Sequence, residues 1–140
     1  MDGIIFDVDG TLWDSVEVVA ESWNLAIKEN SDLEPNLNRE ILQGLFGKTM
    51  DEIAAGVFPD LDPDSRRKLM DICFDYENRY LETHPGVYYE GVMDTLKELA
   101  LEYPLFIVSN CQCGYIEAWN HISKISFVLA RRRLPKTRRF

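Results

Sequence analysis

The chain has 140 residues, 46% apolar and 28% charged, with a net charge of −9. That length suits one ordinary domain, or a small core with a modest insert, and the composition excludes collagen, mucin and wholesale disorder. No apolar run nears the ~18–20 residues of a membrane span, the start Met1-Asp2-Gly3 lacks the basic stretch of a signal peptide, and the three cysteines Cys73, Cys111 and Cys113 make an odd count that reads as reduced thiols in a cytoplasmic protein.

Gly3 to Val8 is a short apolar run rich in β-branched and aromatic residues, which predicts a buried strand with Asp7 as an anomaly near its end. Asp9-Gly10-Thr11 is a turn. Asp14 suits a helix N-cap, with Glu17 at the position of a capping-box partner. Val16, Val19, Ala20, Trp23 and Ile27 then recur at helical spacing and predict an amphipathic helix from Val16 to Asn30. Residues 30–36 form a polar loop with a proline. A short helix from Arg39 to Leu45 is closed by Gly44 and Gly47, and Thr49 with Glu52 is a capping box opening another to about Val57. Pro59 to Asp64 reads as a turn. Ser65 to about Leu81 is a longer helix with Leu69, Ile72, Cys73, Tyr76 and Tyr80 as its stripe. After His84-Pro85-Gly86 come a helix over 90–102, a second apolar strand at 105–108, a helix over 115–121 and a third strand at 125–129.

Both strong strands are wholly apolar, as in a parallel sheet covered on both faces. Four helices between the first strand and the crossover helix exceed one βαβ unit, so residues 14–84 read as a helical insert. The expected architecture is α/β: a partial Rossmann-like parallel sheet with a helical cap inserted after the first strand. Residues 1–13 and 85–130 form the core, residues 14–84 the cap, and residues 131–140 a basic tail.

A carboxylate at the end of a buried strand is costly unless paired or functional. Asp7 and Asp9, spaced i and i+2, would face the same way on a strand and tolerate each other best with a cation between them. Magnesium is hard, prefers oxygen and keeps room for a substrate phosphate. Gly10 and Thr11 would add exposed N–H groups and a hydroxyl suited to phosphoryl oxygens. Ser109 and Asn110, at the exit of the second strand, offer neutral donors for the same oxygens, at the strand ends where open α/β sheets bind ligands.

Asp7-Val8-Asp9-Gly10-Thr11-Leu12, followed by Asp14-Ser15, resembles the first motif of the haloacid dehalogenase superfamily, and Ile107-Val108-Ser109-Asn110 resembles its second. The helical insert between them, with His84-Pro85-Gly86-Val87, is similar to the phosphoglycolate-phosphatase-type branch; the resemblance covers about residues 3–119. It implies that Asp7 is the nucleophile forming an aspartyl-phosphate and that Asp9 is the general acid and then base. It implies that Asp7, through its side chain, and Asp9, through its carbonyl, bind Mg2+. Gly10, Thr11, Ser109 and Asn110 would hold the phosphoryl group, and Lys48 of the cap would point at a substrate carboxylate. Lys48 also has a plain reading as a solvated lysine.

The same resemblance calls for a later lysine and a later acidic pair. After Asn110 the only lysines are Lys124 and Lys136, and no Asp or Glu follows Glu117. The final ten residues hold six of the 15 basic residues, leaving nine basic against 24 acidic ones in residues 1–130, a net −15. The expectation is therefore a truncated or frame-shifted copy, weak or inactive, whose open sheet edge favours self-association. The alternative is a non-catalytic remnant or interaction protein that keeps the fold; a nucleic-acid-binding protein using the tail is a third reading, disfavoured because the tail carries no motif. The expected partner is a small phosphorylated metabolite, with no membrane. Cys111-x-Cys113 lacks a second pair and reads as structural thiols rather than a metal site.

Overall fold

The computed structural model describes residues 3–109, 111–123 and 128–129. Its sheet is parallel: β1 (Ile4–Phe6) pairs with β4 (Leu105–Ile107), which pairs with β5 (Val128–Leu129), in the order β1-β4-β5. The register sets Ile4 opposite Leu105 and Phe6 opposite Ile107. Both principal strands are shorter than their apolar runs. Past Phe6, the Val8 carbonyl accepts from the amides of Thr11 at 3.2 Å and Leu12 at 2.9 Å, so the turn captures residues that the apolar pattern assigns to the strand. Asp7 and Asp9 therefore lie beyond β1, and strand alternation is not what aligns them. Nor is the sheet covered throughout: Ile5 is 67% exposed on a strand with one described neighbour.

Between β1 and β4 the chain runs through β2 (Trp13–Asp14), α1 (Val16–Asn30), α2 (Arg39–Gln43), α3 (Met50–Val57), α4 (Pro63–Leu81), β3 (Val87–Tyr88) and α5 (Val92–Glu102); α6 (Tyr115–Ser123) follows β4. The expected insert of four helices is present. α4 starts earlier than the expected turn at 59–64 allows. Asp62 caps it by accepting from Asp64 and Ser65 amides, and Pro63 sits in the first turn, where its missing N–H costs nothing. The Thr49–Glu52 capping box forms in full. The one expected at Asp14 does not. Ser15 is the N-cap of α1, Asp14 belongs to β2 while accepting from the Val16 amide at 3.1 Å, and Glu17 turns instead to Arg39 at 3.5 Å.

β2 and β3 are the two connectors of the insert, paired antiparallel with Trp13 opposite Tyr88. Gly86 makes that closure possible, since a Cβ there would lie 2.8 Å from the Asp14 carbonyl oxygen and 3.0 Å from the Trp13 ring. Two apolar clusters result. Val19, Trp23, Ala26, Leu42, Ile53 and Cys73 lie in one, made by the four insert helices. Val8, Trp13, Leu96, Leu105, Tyr115 and Trp119 lie in the other, around the sheet. Among the described residues no helix is long and apolar enough to cross a membrane. Asn110, Lys124, Lys136 and the tail at 131–140 lie outside the described residues.

Candidate active site

The parallel pairing brings two strand exits side by side. The Val108 amide donates to the Phe6 carbonyl at 3.0 Å, so Asp7 and Ser109 leave the sheet about one strand spacing apart, ~4.8 Å. Both line a cleft of about 360 Å³ between the sheet's mouth and the helical insert, together with Asp9 and Gly10. Lys48, from the loop between α2 and α3, lines the opposite wall with Gly47. The structure thus gathers five of the expected site residues, Asp7, Asp9, Gly10, Ser109 and Lys48, around one volume. Thr11 is exposed beside it and is not in the lining.

One expectation is corrected. The amides of Gly10 and Thr11 do not face outward. Gly10 N–H donates to the Trp13 carbonyl at 2.9 Å and Thr11 N–H to that of Val8, because the tight turn satisfies its own backbone. What the pair presents is the close approach of Gly10, at φ 73°, and the Thr11 hydroxyl. The Ser109 hydroxyl oxygen accepts from the Cys111 amide at 3.3 Å, which fixes the oxygen and leaves its O–H to donate.

The two acids differ sharply. Asp7 is exposed at the mouth. Asp9 is half-buried, and its Oδ1 accepts from Trp13 Nε1 at 3.1 Å, from Ser15 Oγ at 2.9 Å and from the Tyr115 hydroxyl. Burial raises the Asp9 carboxyl from its ordinary value, against the three donors, which pull it down; the charge of Asp7 adds to the rise. A shift in that direction favours the form that can give a proton to a leaving group. Sequence reasoning missed Trp13, Ser15 and Tyr115 because their roles arise from the β2–β3 closure and from α6 folding back. Tyr115 carried only the signal of a helix over 115–121.

Glu77 of α4 was also missed. It is 4% exposed, lines the cleft, and its Oε2 accepts from Trp23 Nε1 at 2.7 Å. Burial pushes its carboxyl up to about 7, against hydrogen bonds from Gln112 and Trp23. Cys111 lines the cleft as well. Burial pushes its thiol up to about 11, so it stays protonated near neutrality and is a poor nucleophile. Arg39 pairs with Asp14 at 2.8 Å, tying α2 to the first connector and holding that carboxyl low.

The donor set suits magnesium in kind, being hard oxygens at the mouth. Among the described residues no group of three or more His, Cys, Asp or Glu side chains is placed to hold a metal. Asp7 with the Asp9 carbonyl offers the one-or-two-ligand attachment that magnesium adopts when phosphate and water complete its shell.

Residues 4–126 match the family of haloacid dehalogenase-like hydrolases. A comparison with curated proteins returns no match. Among solved structures the chain is similar to a haloacid dehalogenase-like hydrolase from Streptococcus pneumoniae, at 21% identity and TM-score 0.71 over 92% of this chain and 60% of that one. It is similar to a predicted phosphoglycolate phosphatase from Haemophilus somnus, at 23% identity and TM-score 0.73 over 91% and 61%. It is also similar to CbbY from Rhodobacter sphaeroides in complex with phosphate, at 19% identity and TM-score 0.72 over 92% and 62%. Another structure of that protein holds xylulose-(1,5)bisphosphate. At such identities the likeness is one of fold, and this chain spans about 60% of the length of those structures.

Proposed function

This chain belongs to the haloacid dehalogenase-like hydrolases, and on that footing we propose that it is built as a magnesium-dependent phosphatase acting on a small phosphomonoester. One observation carries the reading: an exposed carboxylate, a half-buried carboxyl raised by burial and a serine hydroxyl from the neighbouring strand share one cleft. The phosphate and bisphosphate bound by CbbY support an ester of that kind.

An Asp7 oxygen attacks phosphorus as the bond to the leaving oxygen breaks, giving an aspartyl-phosphate. Asp9 hands its proton to the departing alcohol. It then takes a proton from water as that water attacks phosphorus, freeing phosphate and the Asp7 carboxylate. Ser109 donates to a phosphoryl oxygen. Asn110, next in the chain, has the role that the motif implies. Asp7 and the Asp9 carbonyl would hold a magnesium ion, whose charge would offset that of the phosphoryl group. Lys48 faces the organic part of the substrate from the insert.

The test is phosphate release from an aryl phosphate. Release should require magnesium and vanish in Asp7→Asn; release that survives that substitution refutes the reading.

A further inference from the structure

Glu77 is the only carboxyl among the described residues that is buried outright, and the mechanism above does not use it. It sits on α4 where the insert faces the core, in the wall of the cleft that holds Asp7, Asp9 and Ser109. Among the described residues it makes no ion pair. The groups facing it are Asp9, the Trp23 indole and the Gln112 carboxamide, with Cys73, Cys111 and Tyr115 close enough to feel its charge. A buried carboxyl without a cation is a large cost. The demand of Trp23 for an acceptor does not explain it, because a glutamine would supply one without a charge.

The neighbours in the wall narrow what it reads. Gln43 and Gln112 also line the cleft; the Gln43 carboxamide can both donate and accept, whereas the Gln112 amide already donates to Asn78 Oδ1 at 3.3 Å and to Glu77. A carboxyl and a carboxamide suit a hydroxyl, which donates to the one and accepts from the other. An anionic group beside Glu77 would be repelled, and Lys48 elsewhere in the wall already offers a cation to any such group.

We propose that Glu77 is a specificity-determining residue that accepts a hydrogen bond from a hydroxyl on the organic part of the substrate, so that the substrate is a hydroxylated phosphate monoester. This rests on the phosphatase reading and names its substrate class. The test is calorimetric binding of three probes to the intact chain with magnesium: glycerol phosphate, propyl phosphate and ethanolamine phosphate. At pH 8, above the value of about 7 to which burial pushes Glu77, glycerol phosphate should bind about ten-fold or more tighter than propyl phosphate, the gain of a hydrogen bond to a charged acceptor. Glu77→Leu should bring that ratio toward one. Glu77→Gln, which keeps an acceptor for Trp23 and nearly the same volume, guards against misfolding and should give an intermediate ratio. Equal binding of glycerol and propyl phosphates overturns the proposal, as does a ratio unmoved in both variants or a preference for ethanolamine phosphate. A chain that cleaves aryl phosphate yet ignores the hydroxyl contradicts this inference alone. A chain that binds no probe and cleaves nothing contradicts the phosphatase reading with it.

Discussion

The helical insert and the sheet bury their apolar residues on different terms. The four insert helices enclose Trp23, Leu42, Ile53 and Cys73 among themselves, and three of them start from side-chain caps at Asn38, Thr49 and Asp62. The sheet has strands of three residues or fewer, leaves Ile5 67% exposed, and is joined to α5, whose Leu101 is 86% exposed. Its cluster leans instead on aromatic rings at the connectors, where Trp13 meets Tyr88, Tyr115 and Trp119 at 5.7–6.3 Å. The insert is held by local signals plus one enclosed core. The chemical mouth is held by a seam of rings contributed by segments far apart in sequence.

Breaking that seam should have the largest effect. Trp13 is fully buried and also donates to Asp9, so Trp13→Ala should cost ~3–5 kcal/mol in urea unfolding. An equally stable variant would mean that the sheet side does not depend on the seam.

Acidity sharpens the comparison next, on the insert side. Glu77 moves from an ordinary 4.5 to about 7 on folding, so the folded state binds the proton more tightly. Its stabilising contribution is full below pH 4.5 and is lost as pH rises through about 7. The loss is about 3 kcal/mol at ~1.4 kcal/mol per unit. Unfolding free energies of the native chain and Glu77→Gln, compared across that window, should diverge by this amount; parallel curves would show that Glu77 is solvated.

Tyr115→Phe probes the sheet side more gently. It removes one of the three donors on Asp9 and keeps the ring in the seam. Losing a hydrogen bond to a charged group is worth ~1.5–3 kcal/mol. Hydrolysis of alkyl phosphates, whose leaving group needs a proton, should fall ~10–100-fold, and that of aryl phosphates much less. Equal losses for both classes would make Tyr115 a packing residue only. The smallest effect belongs to Leu101→Ala, within ~0.5 kcal/mol, because that side chain is already in water.

The same contrast explains what could be read from the sequence. Helices of the insert announce themselves through periodicity and through caps such as Thr49 with Glu52, and all four were legible. The two acids and Ser109 were legible because polar groups at the ends of apolar strands are conspicuous. The strand ends were not, because the competition between sheet pairing and the turn around the Val8 carbonyl is decided by geometry. The β2–β3 pair escaped notice because two residues carry no period. Glu77 and Tyr115 sat inside predicted helices, where nothing local marks a side chain that will meet Trp23 or Asp9 from 54 or 106 residues away.

The claim on which the rest depends is that Asp7 takes the phosphoryl group. It is tested most directly in Asp9→Asn, mixed with an aryl phosphate and magnesium, quenched in acid and mapped by peptide mass spectrometry. An aryl leaving group needs little help from an acid, whereas the hydrolytic water loses its base, so the intermediate should accumulate. The account predicts one added phosphoryl group on the peptide that contains Asp7, absent when Asp7 is also changed to Asn. An unmodified chain, or a phosphoryl group on any other residue, would contradict it.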